Sequence, residues 1–361
     1  MKLDALLREA VERKASDIYI TAGSKPVFRV HGDLVVAGKE PIFTAEMAEE
    51  YLFDVMKEAQ RDEFRRKMDI DFAIEIPETA RFRVNVFMQR KGIGGVLRLI
   101  PSKIISMKEL NVPEAFQKIP SFPSGLVLVT GPTGSGKSTT LAAIIEEINV
   151  NTDAHIITIE DPIEFVYENK KSVVDQREVG THTESFQAAL RAALREDPDA
   201  ILVGEMRDLE TIALAITAAE TGHLVLATLH TSGAAKTIDR IINVFPGERQ
   251  NQIRSELAEV LRAVIWQELL KRKDGKGRVA AYEILFTNTA VANLVRSNKS
   301  YQIPGVIETS AKEGMQSMEQ CLRLLVQQGA VTKEESQAHF PQENSETKKS
   351  AADQKTSPAA S

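Results

Sequence analysis

Residues Gly131-Pro-Thr-Gly-Ser-Gly-Lys137-Ser138 fit the pattern G-x-x-x-x-G-K-[ST] in full. The spacing suits phosphate chemistry. Glycines let the backbone wrap closely round a polyphosphate, so that successive N–H groups point inward. A helix opening at the end of such a loop adds partial positive charge. A lysine at this position reaches the β- and γ-phosphates, and the hydroxyl after it ligates Mg²⁺. The candidate nucleotide contacts are therefore Thr133, Gly134, Ser135, Gly136, Lys137, Ser138 and Thr139, and the ligands they would take are ATP and Mg²⁺.

Hydrolysis needs carboxylates as well. Two acidic groups follow the loop, Ile159-Glu160-Asp161-Pro162-Ile163-Glu164 and Ile201-Leu-Val-Gly-Glu205, each at the end of an apolar run. One carboxylate must orient or deprotonate the attacking water, and another must support Mg²⁺ or its water shell. Glu164 and Glu205 are the candidates, with Ser138 and Glu205 as the metal ligands. His223 and His230 bracket residues 224–229. Seven apart on a strand, they cannot both face one ligand, and spacing alone assigns neither a role. No ligand spacing supports zinc.

The elements that hold these groups are legible in the hydrophobic pattern. Leu126–Thr130, His155–Glu160, Ala200–Val203 and Leu224–Leu229 are too continuously apolar for half-exposed strands. They predict a parallel sheet covered on both faces, with ligands beyond the strand ends. Helices are expected at Thr140–Asn149 and at Leu209–Thr221, the latter capped by Asp208 and ended by Gly222. After about residue 245 the pattern reads as mainly helical, which places an ATPase domain over 125–340. Residues 341–361 have almost no large apolar side chain and are expected to be disordered.

Residues 1–100 read as a smaller α+β domain. Leu3, Leu6, Leu7, Ala10 and Val11 mark a helix, and Thr44 caps a longer helical stretch. Strands are expected around Ile18–Thr21, Val27–Val30, Leu34–Val36, Ile70–Ile76, Arg81–Gln89 and Gly94–Ile100. In the fifth of these, Phe82, Val84, Val86 and Met88 alternate with Arg81, Arg83, Asn85 and Phe87, giving an apolar face and a mostly polar one with two cations. Prolines at 101, 113, 120 and 123 mark 101–124 as a linker.

Composition sets outer bounds. The chain has 361 residues, 43% hydrophobic and 27% charged, with net charge −6, the profile of a globular protein of two domains. No apolar run reaches membrane-span length, so no membrane insertion is expected. The first residues, MKLDALLREAVERK, lack a signal-peptide pattern, and the single Cys321 cannot form an internal disulfide; both point to a cytoplasmic location. With 6% aromatic residues and no long basic run, neither a base-stacking platform nor a phosphate track is evident, so no nucleic-acid partner is expected.

The motifs also resemble a family. GPTGSGKSTT (131–140), TIEDPIEF (158–165), LREDPDAILVGEMRD (194–208) and TGHLVLATLHT (221–231) are similar to the Walker A, Asp, Walker B and His boxes of secretion ATPases. ASDIYITAG, ARFRVNVF, AAKTIDRIINVFP and GRVAAYEIL extend the likeness over roughly 1–330, toward the branch that retracts type IV pili. The lone cysteine agrees, because extension and secretion motors usually carry a four-cysteine metal module. The resemblance implies a homohexamer of RecA-like ATPase domains, each with an N-terminal PAS-like domain. ATP would bind between the two domains, and hydrolysis would rotate one against the other. It implies that Glu164 is the catalytic glutamate and Glu205 the Walker B acid, with Arg207 in the same box. His230 would sense phosphate, and Arg83 and Arg98 would be the arginines lent by the N-terminal domain. It further implies pilus retraction and twitching motility, powered at the cytoplasmic face of the inner membrane against the platform protein of the pilus base. The alternatives are an accessory retraction motor, an assembly or secretion ATPase, a non-hydrolysing scaffold and, more distantly, a nucleic-acid translocase. Two departures stand out. The AIRNLIRE-type motif of retraction ATPases is here Ala290-Val-Ala-Asn-Leu-Val-Arg-Ser297, with Ala292 for the first arginine and Ser297 for the last glutamate, and Tyr19 stands where histidine is common.

Overall fold

In this computed structural model the described residues are 2–30, 32–38, 40–76, 80–100 and 104–339. The first of them form α1 (Asp4–Glu12), β1 (Ala15–Thr21), β2 (Val27–Val30), β3 (Asp33–Val36), α2 (Ala45–Asp54), α3 (Glu58–Lys67), β4 (Asp69–Ile76), β5 (Ala80–Gln89) and β6 (Gly92–Ile100). The strands make an antiparallel sheet in the order β3-β2-β1-β6-β5-β4. Alternation on β5 buries Phe82, Val84 and Val86 against Leu3, Leu7, Phe28 and Leu52, which drives this half together. Met88 departs from the alternation and is exposed. The long helical stretch after Thr44 is two helices. Thr44 accepts the Met47 N–H at 3.2 Å, and the chain breaks between Asp54 and Glu58.

The chain then passes through a 3₁₀ segment, Glu114–Ser121, into a second sheet. Its elements are β7 (Gly125–Thr130), α4 (Lys137–Asn151), β8 (His155–Glu160), β9 (Val173–Glu178), α5 (Phe186–Ala193), β10 (Ala200–Val203), α6 (Leu209–Glu220), β11 (Leu224–Leu229), α7 (Ala234–Asn243), α8 (Gly247–Val260), β12 (Leu261–Lys271), β13 (Arg278–Phe286), α9 (Thr289–Arg296), α10 (Ile303–Thr309), α11 (Met318–Gln327) and α12 (Lys333–His339). The order is β13-β12-β7-β11-β10-β8-β9, parallel throughout except for β13 at one edge. Strands β7, β10 and β11 are buried along their whole length, as their unbroken apolar runs require. Asp208 caps α6 by accepting the Thr211 N–H at 2.9 Å.

Two expectations change. The chain after residue 245 is not mainly helical over 261–286, where β12 and β13 form a hairpin that widens the sheet. Within the linker stretch, Met107, Phe116 and Ile119 are buried in the same core as β7 and α4, so the connection is anchored to the larger sheet from Met107 onward. Residues 341–361 lie outside the described residues.

Candidate active site

The phosphate loop runs from Thr130, the end of β7, to Lys137, the start of α4. Its path requires glycine. Gly131 has φ of 141°, and a Cβ there would lie 2.3 Å from the carbonyl oxygen of Gln267. Gln267 on β12 is buried and braces the loop from behind: its Nε2 donates to the Ser135 carbonyl at 2.6 Å, and its Oε1 accepts the Thr140 hydroxyl at 2.7 Å. Lys137 Nζ donates to the carbonyls of Gly131 and Pro132, each at 3.0 Å. Burial pulls the Lys137 ammonium below the usual lysine range, while Glu205 and Glu164 push it back up. The Ser135 hydroxyl is buried with no hydrogen-bond partner among the described residues. A loop with an orphaned hydroxyl and a lysine engaged only by carbonyls fits a phosphate.

Opposite the loop, β8 delivers the segment 160–164. Glu160 is buried; its Oε1 accepts the Thr158 hydroxyl at 2.7 Å, and its Oε2 accepts the Glu164 N–H at 3.2 Å. Burial pushes the Glu160 carboxyl up to about 7, against the pull of these hydrogen bonds. Burial also raises Asp161, with Asp71 adding to it. At the end of β10, Gly204 approaches Ile159 closely, its N–H donating to the Ile159 carbonyl at 2.8 Å. Glu205 then meets Arg207 Nη2 at 2.7 Å and His230 Nε2 at 3.2 Å. Burial would raise the Glu205 carboxyl, but Arg207 and His230 outweigh it and hold it below the ordinary range.

These groups line one cleft of about 340 Å³. Thr133, Gly134, Lys137 and Ser138 face it from the loop, Glu160, Asp161 and Glu164 from the end of β8, Glu205 and Arg207 from β10, and His230 from β11. Arg83 reaches in from the smaller sheet. It is held by Asp71, with Nη2 to Oδ2 at 2.6 Å, and this bond raises the guanidinium further above its usual value. The cleft thus gathers residues of the glycine-rich loop, several carboxylates and a cation from a separate sheet.

Residues 1–356 match the model of the type II/IV secretion system protein family. The chain belongs to that family. Among the relatives, the twitching motility protein of Neisseria gonorrhoeae is 54% identical over 91% of this chain and 88% of its own. The type IV pilus retraction ATPase PilT of Pseudomonas aeruginosa is 51% identical over 92% and 96%. The type IV pilus ATPase PilU of the same organism is 41% identical over 95% and 90%. The crystal structure of the pilus retraction motor PilT with bound ADP superposes with a TM-score of 0.86 at 45% identity, covering 93% of this chain and 96% of that one.

Not every residue the secretion-family resemblance singled out reaches the cleft. Arg98 does not line it; its Nε donates to Asp17 Oδ1 at 2.8 Å. Arg98 stands opposite Arg83 on β6, and Asp17 stands opposite both Arg98 and Arg29, so the row Arg29-Asp17-Arg98-Arg83 crosses four strands. Ser135, Gly136 and Thr139 belong to the loop and the helix start without lining the cleft. His223 Nδ1 sits 2.9 Å from the Ala218 carbonyl, a contact at the end of α6 away from the cleft. Sequence reasoning missed Gln267 and Glu160 as site residues. The signal for Gln267 was a lone amide in an apolar run, and that for Glu160 was a carboxylate continuing a buried strand.

Proposed function

We propose that this protein is a hexameric, Mg²⁺-dependent ATPase that powers the retraction of type IV pili. The observation that carries this reading is the convergence of Lys137, Glu164, Glu205, His230 and Arg83 on one cleft. Lys137 would exchange its two carbonyl partners for phosphate oxygens, drawing the triphosphate along the loop amides. Glu164 would orient the attacking water. Glu205, kept ionised by Arg207 and His230, lines the same cleft as Ser138, and His230 would report on the phosphate through its contact with Glu205. Ser138 and Glu205 offer the hard oxygen donors that Mg²⁺ takes, and no cluster of three ligating side chains exists among the described residues, as suits an ion that draws its other ligands from phosphate and water. When bound, it would neutralise developing charge on the phosphoryl oxygens.

Arg83 brings the N-terminal half into the reaction. Leaving Asp71 for the phosphoryl group would close the smaller domain, residues 1–100, onto the ATPase domain, residues 125–340. The hinge is inferred for the linker, residues 101–124, whose described part is seated in the larger core at Met107, Phe116 and Ile119. Arg98 would join only after a rearrangement that frees it from Asp17. We further infer a ring of six copies acting on the cytoplasmic side of the inner membrane against the platform protein. No helix among the described residues is long and apolar enough to cross a membrane.

A deletion strain with long, static pili and no twitching is the expected result, and rescue should require Glu164. Absent pili would instead indicate an assembly motor. Ala292 and Ser297 on and after α9 favour a second reading, an accessory retraction motor; a deletion that leaves twitching intact under low load would support it.

A further inference from the structure

Glu164 owes its position to the loop 161–164, and that loop is tied at two consecutive amides. The Glu164 N–H donates to Glu160 Oε2 at 3.2 Å, and the Ile163 N–H donates to Glu178 Oε2 at 3.1 Å. Glu178 ends β9, the edge strand of the larger sheet. Its Oε1 accepts the Thr181 hydroxyl at 3.0 Å, and its Oε2 also accepts from Arg81 Nη2 at 3.0 Å. Arg81 belongs to the other sheet. It lies on β5 two residues from Arg83, so both side chains leave the same face of one strand. The ion pair is largely desolvated, with the two side chains 18% and 8% exposed.

One carboxylate oxygen is therefore shared between a guanidinium of the N-terminal half and a backbone amide next to Glu164. Withdrawing the guanidinium would leave a buried carboxylate short of its counter-charge, which is costly unless the carboxylate moves. Any such movement displaces the Ile163 amide and, with it, the next residue.

We propose that Arg81 and Glu178 are positioning residues, and that their ion pair transmits the docking of the N-terminal half to the water-orienting carboxylate Glu164. Hydrolysis is then fast only while β5 is seated against β9. Arg83 and Arg81 divide the labour, one addressing the phosphates and the other the loop that carries the base. This deepens the ATPase reading and depends on it.

The test is steady-state ATP turnover of the full chain, with binding of a fluorescent ATP analogue measured separately. Arg81→Ala is expected to lower kcat between about 10- and 100-fold, with KM and analogue affinity held within about twofold. Arg81→Lys should recover most of the loss. Glu178→Gln, whose amide oxygen can keep the Ile163 N–H, should behave like Arg81→Ala, and the double variant should be no worse than the poorer single one. Should Arg81→Ala fail to unfold cooperatively, Glu178→Gln carries the same comparison. Wild-type kcat in both variants, or a loss of analogue affinity in step with kcat, overturns the proposal. A wild-type chain with no more turnover than Lys137→Ala would remove the ATPase reading itself and this inference with it.

Discussion

Glu160 and Glu178 end neighbouring parallel strands in register, and their carboxylates accept consecutive backbone N–H groups, those of Glu164 and Ile163. Both side chains are buried, yet the two are stabilised differently. Glu178 has a guanidinium partner, whereas Glu160 has only neutral donors, a hydroxyl, an amide and a backbone N–H.

That difference predicts a pH signature. Burial raises Glu160 to about 7 in the folded chain, above its ordinary value of 4.5, so the folded state holds a proton that the unfolded state releases. The resulting stabilisation is complete below the ordinary carboxyl range and is lost as pH rises through about 7, on the order of 3 kcal/mol in all. In Glu160→Gln, the amide oxygen can turn to the Glu164 N–H and the amide nitrogen to Thr158. The melting temperature of the wild type minus that of this variant should fall steadily between about pH 5 and pH 8. A flat difference would refute the assignment.

The brace behind the phosphate loop gives a second prediction. Gln267→Leu fills the space but removes the partner of the Ser135 carbonyl and one partner of the Thr140 hydroxyl, which also bonds Tyr282. The unmet carbonyl costs about 1–3 kcal/mol. ATP affinity should fall by about 10-fold or more, read by titration of a fluorescent analogue, while Glu164 keeps its role and kcat at saturation changes less.

Binding and chemistry should separate cleanly. Lys137→Ala removes the cation at the loop, and nucleotide binding and turnover should both disappear. Glu164→Gln should bind ATP as the wild type does and lose about 10²–10⁴-fold in kcat. Chelation of Mg²⁺ should stop turnover in the wild type and be reversed by adding the ion back.

Asp71 holds Arg83 beside the cleft, and on the proposed reading a phosphate would have to compete with it. Asp71→Asn should therefore lower the KM for ATP, whereas Arg83→Ala should leave binding nearly intact and cut kcat by about 10³-fold or more, the lower range for a charge-neutralising arginine. Equal KM values for Asp71→Asn and the wild type would show that the pair does not restrain Arg83.

Legibility followed burial. Strands β7, β10 and β11 were visible because central parallel strands must be apolar throughout, and the phosphate loop was visible because so few residue types permit its backbone. Strand β9 was not, since Val173–Glu178 lies at an edge, leaves Val173 and Asp175 exposed on one side and carries four polar residues in six. The hairpin of β12 and β13 was hidden for another reason. Residues 257–270 place apolar side chains at spacings a helix would also accept, and pairing with β7 decides between the two. The turn signal Asp274-Gly275-Lys276-Gly277, with positive φ at both glycines, marks the hairpin in retrospect. The role of Arg98 came from resemblance alone, and its partner Asp17 sits 81 positions away in the chain, beyond the reach of any local pattern.

The charged row across the N-terminal sheet carries a last consequence. Arg98 and Arg83 face each other across adjacent strands, and like charges so placed weaken a sheet unless each has a counter-ion. Asp17 and Asp71 are those counter-ions, at 2.8 and 2.6 Å. On the proposed reading, a polyanion that drew Arg83 away would exchange one neutralising partner for another, so the sheet would tolerate the transfer only while the incoming anion stays.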